Sequence, residues 1–208
     1  MTRNDNARWN WDSYYANVTN QNPRDILLKG LELMTNDLDN EKTHFAIDLG
    51  CGNGPDTMEL LKRGWKVLAI DNEQSALTIL EESIQKDWKE RLETKRQSFD
   101  EVKLPSCDFI IASLSIPFCE PEHFPKFWEE IQNSLKVGGR FAGNFFGEKD
   151  GWANIDSMIF HTQEQVHELF NKFEIEYFNE WEYDRPTSGM GIMKHSHLFS
   201  VVGKKVKG

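Results

Sequence analysis

An acid, three glycines and a proline between positions 48 and 55 carry the clearest chemistry in this sequence. Residues 45–54 read Phe-Ala-Ile-Asp-Leu-Gly-Cys-Gly-Asn-Gly, an apolar run that passes straight into a loop with glycine at every second position. Glycines at 50, 52 and 54 admit positive φ and carry no Cβ, so a flat ligand can lie against bare main chain. Asp71 follows Gly50 by 21 residues. An acid there can accept hydrogen bonds from both hydroxyls of a ribose, each charge-assisted bond contributing roughly 1.5–3 kcal/mol. It can equally cap the helix that follows. The spacing does not complete the dinucleotide fingerprint G-x-G-x-x-G, whose third glycine would fall at Pro55. Proline instead suits the first turn of a helix.

The pattern Asp48-x-Gly50-x-Gly52-x-Gly54 resembles motif I of the class I S-adenosylmethionine-dependent methyltransferases. The resemblance implies S-adenosylmethionine as cofactor and S-adenosylhomocysteine as product. It assigns cofactor contacts to Asp48, Gly50, Cys51, Gly52, Gly54, Asp71, Asn72, Asp100 and Ser113. In that family the acid matching Asp48 faces the amino-acid end of the cofactor, and the one matching Asp71 holds the ribose. Asp100, in Ser98-Phe99-Asp100-Glu101-Val102, matches the contact to the adenine amino group. Phe99 or Val102 packs on the adenine face or belongs to the core.

The segment Ser113-Leu-Ser-Ile-Pro-Phe118 partly resembles the (Asp/Asn/Ser)-Pro-Pro-(aromatic) motif of amino-methyltransferases, with Ile116 in place of the first proline. Its place assigns Ser115, Pro117 and Phe118 to the methyl acceptor. Ala112–Cys119, Leu135–Gly139, Phe146–Trp152 and Lys194-His-Ser-His197 are together similar to the tellurite-resistance type of methyltransferase domain, whose acceptors are small molecules or oxyanions.

Aromatic residues cluster before the first helix: Trp9, Trp11, Tyr14 and Tyr15. In the family such a segment covers the cofactor and supplies aromatics facing the substrate, with Tyr15 the preferred candidate. Simple packing against the domain edge is the alternative. His161 precedes a helix cap and is a candidate base or substrate ligand. His195 and His197 share a strand face but lack a third ligand in recognisable spacing, so no metal is expected. Cys51 and Cys119 read as packing residues rather than nucleophiles. No catalytic base is assigned.

The elements that must position these residues follow from the hydrophobic periods. Asn22 and Pro23 open a helix with Ile26, Leu27, Gly30, Leu31 and Met34 on one face. Strands are expected at 43–49, 65–70, 95–99, 107–113 and 140–146, then two long runs at 173–183 and 195–202. Helices are expected at 55–63, through Leu77, Leu80, Ile84 and Trp88, and through Phe124, Trp128, Ile131 and Leu135, this last closed by Val137-Gly138-Gly139. Thr162 and Gln165 form a capping box for one more. Strand–helix alternation implies an α/β, Rossmann-like fold. The class I plan is seven strands in the order 3-2-1-4-5-7-6, strand 7 antiparallel, with helices on both faces. Residues 1–40 form an N-terminal helical lid segment and 41–208 the cofactor-binding domain, one globular unit in all.

Composition narrows the partners. The net charge of −10, from 24 basic and 34 acidic residues, disfavours a nucleic-acid acceptor, which needs a basic stripe. A mean hydropathy of −0.62 and the lack of an eighteen-residue apolar run exclude a membrane span. Three cysteines without metal spacing and a polar start to the chain point to a cytoplasmic protein, monomer or homodimer. The reading is in-line methyl transfer to a small-molecule acceptor. The competing readings are a non-catalytic S-adenosylmethionine-binding protein and an NAD-linked oxidoreductase.

Overall fold

The computed structural model describes residues 11, 14, 15, 21–39, 41–186 and 193–207. Of the expected N-terminal lid, residues 1–10 (Trp9 among them), 12, 13, 16–20 and 40 lie outside them, while Trp11, Tyr14 and Tyr15 lie within.

Seven strands form one sheet in the order β3-β2-β1-β4-β5-β7-β6. They are β1 (Phe45–Leu49), β2 (Lys66–Asp71), β3 (Leu92–Arg96), β4 (Cys107–Ala112), β5 (Leu135–Phe146), β6 (Phe173–Pro186) and β7 (Met193–Lys205). Strands β1 to β5 are parallel, and β7 runs antiparallel to both β5 and β6. The parallel core is what the alternation of elements predicts, and the order and the antiparallel seventh strand are those the family resemblance implies. The reversal on either side of β1 and β4 leaves a crevice beyond their carboxyl ends, where ligands of open α/β sheets bind.

Period-two alternation sorts the strands between two apolar layers. Ala46, Val67, Ala69, Phe109 and Ile111 face the layer of α1 (Asp25–Met34), α2 (Pro55–Lys62) and α3 (Gln74–Ser83). Ile47, Leu49, Leu68, Ile70 and Ile110 face α4 (Phe124–Ser134) and α5 (Gln163–Leu169). Trp128 and Phe127 of α4 anchor that second layer, and Trp128 donates its indole N–H to the Leu169 carbonyl at 3.0 Å. The capping box of α5 forms as expected, Thr162 and Gln165 each accepting the other's backbone N–H.

Several boundaries move. The first helix begins at Asp25, capped by Arg24 without a side-chain bond, because the Arg24 N–H is taken by Asp56 at 2.7 Å rather than by Asn22. The third strand is Leu92–Arg96, not 95–99, and Phe99 instead stacks on Phe127 at 4.4 Å. Trp88 leaves the helix: α3 stops at Ser83, Ile84 is extended, and Trp88 sits in a 3-10 turn over Lys86–Arg91. The Val137-Gly138-Gly139 stretch lies inside β5, with Gly138 at φ +87 and a shift of register against β4, rather than closing α4.

Candidate functional site: the glycine loop and its aromatic cover

The loop after β1 is held at its root by β2. Gly50 and Cys51 donate their N–H groups to the Ile70 carbonyl at 2.8 and 3.0 Å. Gly50, Gly52 and Gly54 then take φ of +71, +53 and +85, a left-handed conformation that L side chains resist. Space is as restrictive as φ. A Cβ on Gly50 would lie 2.3 Å from Ser115 Cβ, and one on Gly52 would lie 2.7 Å from Tyr15 Cε1.

Three buried carboxylates surround this loop. Asp71, at the end of β2, accepts the Gly52 N–H on Oδ2 at 2.8 Å and the Glu73 N–H on Oδ1 at 2.9 Å. Asp48 accepts the Thr57 hydroxyl at 2.6 Å and is 2% exposed. Asp56 accepts the Ser113 hydroxyl at 2.6 Å on the oxygen not used by Arg24. All three are pushed above the usual carboxylate range, in each case by burial first, with the Asp56 charge adding to the effect on Asp48. The bonds they accept come from hydroxyls and backbone N–H groups, so the loop is an electronegative pocket braced by neutral donors.

Other expected site residues distribute around it. The Ser115 hydroxyl donates to the Leu49 carbonyl at 2.6 Å and so fastens the start of the post-β4 turn to the end of β1. Leu114 beside it holds φ +56, a conformation rare for a branched side chain, with its N–H on Asn144 Oδ1 at 3.2 Å. Pro117 is buried in a 3-10 turn, and its carbonyl accepts the Ile159 N–H. Phe118 meets Trp11 edge-on at 5.0 Å. Asn72 is exposed and accepts Arg96 Nε on its carbonyl. Asp100 is half-buried, its carboxyl lowered by the Ser98 hydroxyl. The Cys51 and Cys119 thiols are buried and pushed up by burial, as packing residues should be.

Tyr15 covers the loop. Its ring lies on Gly52 and stacks on Trp11 at 6.0 Å, and burial and the Asp71 charge hold its phenol protonated. Through Trp11 and Phe118 this aromatic cover reaches an apolar wall beyond β4 and β5, built on Phe146, Ile155, Met158 and Leu198. Lys194 closes the wall: its ammonium lies 3.9 Å over Trp152 and 4.5 Å over Phe146, and 2.7 Å from Asp150.

Sequence reasoning missed Asp56, Asp150 and Lys194. An acid directly after Pro55 looks like ordinary complement to a helix N-terminus, which hides its bonds to Arg24 and Ser113. Only Phe145, Phe146 and Trp152, close together in sequence, could have hinted at the wall.

Histidines stand apart from the loop. His197 accepts the Lys149 N–H on Nδ1 at 3.2 Å, which leaves Nε2 as the donor to Glu180 at 2.8 Å. His195 bonds Asp184. His161 lies between the rings of Phe124 and Phe145, 5.2 and 5.4 Å away, and burial lowers its pKa to about 4. Between that value and the ordinary 6.5 the unfolded chain binds the extra proton, so the stability the neutral ring contributes is complete above pH 6.5 and lost toward pH 4. Denaturant unfolding should show the gap between wild type and His161→Phe changing by up to about 3 kcal/mol over that window. A gap independent of pH would remove the assignment.

Comparison with known proteins bears on the segment that carries the glycine loop. A family model described as "Methyltransferase domain" aligns with residues 46–139, from β1 into β5. Those residues are thus similar to a methyltransferase domain, and the seven-stranded sheet has the class I methyltransferase fold. A curated relative, the biotin biosynthesis bifunctional protein BioHC of Cellvibrio japonicus (strain Ueda107), is 30% identical over 125 residues. The match takes in 54% of this chain but only 23% of that longer protein. Among solved structures, TehB from Haemophilus influenzae superposes with a TM-score of 0.72 at 16% identity, covering 94% of this chain and 67% of that one. The Burkholderia thailandensis 1,6-didemethyltoxoflavin-N1-methyltransferase, solved with 1,6-didemethyltoxoflavin and S-adenosylhomocysteine, gives 0.61 at 20% identity, covering 88% and 79%. Both share the methyltransferase domain's fold.

Proposed function

We propose that the chain transfers a methyl group from S-adenosylmethionine to an apolar small molecule held between the aromatic cover and the wall beyond β5. The observation that carries this reading is the trio of buried carboxylates, Asp48, Asp56 and Asp71, around a loop without Cβ atoms. A cofactor bearing a sulfonium and an ammonium gains from that field, whereas a pyrophosphate would be repelled by it.

S-adenosylmethionine supplies a methyl group on an already electrophilic sulfonium. The chain's own part is to hold and align. Asp71 takes the ribose hydroxyls, the main chain of Gly50–Gly54 supports the amino-acid end, and Asp48 keeps the loop in place through Thr57. Tyr15 and Trp11 close the site against water. Aligning the acceptor lone pair, methyl carbon and sulfur can account for roughly 7–11 kcal/mol of barrier lowering. The acceptor side is lined by Leu114, Phe118, Phe146 and Trp152, and the ammonium of Lys194 beside them is already matched by Asp150. This favours an uncharged acceptor. The Burkholderia relative's flat heteroaromatic ligand and the −10 net charge point the same way.

Calorimetry should find saturable binding of S-adenosylmethionine and S-adenosylhomocysteine and none of NAD. Labelled methyl transfer into fractionated small-molecule pools should then mark an uncharged aromatic species. Binding of NAD in place of S-adenosylmethionine would end the reading, and binding without transfer to any pool would favour a sensor.

A further inference from the structure

A cleft of about 670 Å³ opens between α4 and α5, floored by Phe124, Trp128, Ile159 and His161. Segment 158–161 divides it from the acceptor wall. Met158 and Phe160 pack with Phe146 in the wall and also line the cleft, whereas Ile159 and the His161 ring belong to the helical layer on the other side.

The polar groups of the floor are nearly all used. Gln132 and Trp128 both donate to the Leu169 carbonyl, at 3.1 and 3.0 Å, and Gln165 accepts the Thr162 N–H at 2.9 Å. Glu168 and Asn171 lie exposed at the rim. His161 differs. It is only 8% exposed, and its Nδ1 is buried with no hydrogen-bond partner among the described residues. A buried polar atom left unbonded is costly and calls for an explanation. Burial also keeps the ring neutral, so it offers a donor and an acceptor but no charge to an anion.

We propose that this cleft is a second small-molecule site, separate from the methyl-transfer site, for an uncharged aromatic molecule whose hydroxyl or N–H group bonds the His161 imidazole. The inference stands without the acceptor reading, since it uses none of the residues around the glycine loop.

Phenol and toluene are the probes, alike in shape and differing in one hydroxyl. In an NMR titration of the full chain, phenol should shift the His161 ring and Trp128 indole signals saturably. Toluene should bind at least about fivefold more weakly despite being the more apolar, as the loss of one buried hydrogen bond requires. His161→Phe should reverse that order. Saturation with S-adenosylhomocysteine should leave the phenol affinity unchanged. Silent His161 signals, toluene binding as tightly as phenol, or competition by S-adenosylhomocysteine would each overturn the proposal. The phenol–toluene comparison in wild type stands even if the variant folds poorly.

Discussion

Replacing Asp71 by alanine should weaken S-adenosylmethionine binding at least about a hundredfold, with calorimetry as the measurement. Each Asp71 oxygen already accepts one backbone N–H, from Gly52 and Glu73, and keeps a second lone pair for a ribose hydroxyl. Two charge-assisted bonds at roughly 1.5–3 kcal/mol each amount to a factor of about a hundred or more in affinity. The same change also frees the Gly52 N–H, so loss of loop order could imitate loss of a contact. A 2′,3′-dideoxy analogue of S-adenosylhomocysteine separates the two. It should bind wild type and Asp71→Ala alike if the ribose contact is the cause. An undiminished affinity for S-adenosylmethionine itself would reject the assignment.

Gly52→Ala should be nearly as damaging, and for a reason that can be isolated. The left-handed φ of +53 costs an alanine about 1–2 kcal/mol, and its Cβ would press on Tyr15 at 2.7 Å. Affinity for S-adenosylmethionine should fall by more than about tenfold, the factor that 1.4 kcal/mol represents. A double-mutant cycle with Tyr15→Ala tests the contact directly. With the ring removed, Gly52→Ala should lose only the backbone share of its effect. Strict additivity would mean that Tyr15 does not sit on the loop in solution.

The geometry of the glycine loop was legible because its signals are local. Alternating glycines, a following proline and an acid at the end of the next strand lie within one strand–loop–helix–strand unit. Where partners come from afar, sequence was silent. Nothing near Asp56 announces that it joins Arg24 to Ser113, and nothing near Ser115 that its hydroxyl ties β4's exit to Leu49. Strand β3 was misplaced because Leu-Glu-Thr-Lys-Arg, at an edge and largely exposed, carries one apolar residue. The stretch Val137-Gly-Gly was misread because glycine marks a bulge inside a strand as readily as the end of a helix. The β6–β7 pair was expected but underestimated, since its outer arms, Glu182–Pro186 against Met193–His197, continue past the end of β5.

That separation along the chain has a consequence for how such a protein can change. Everything around the glycine loop except its aromatic cover comes from residues 24–115, while the acceptor wall comes from 114–198. The two share little more than the turn at Leu114 and Ser115. On the function proposed above, substitutions at Phe146, Trp152, Met158 or Leu198 would therefore reshape what is methylated while leaving the grip on the methyl donor intact. A lineage built this way keeps one reagent and explores many targets.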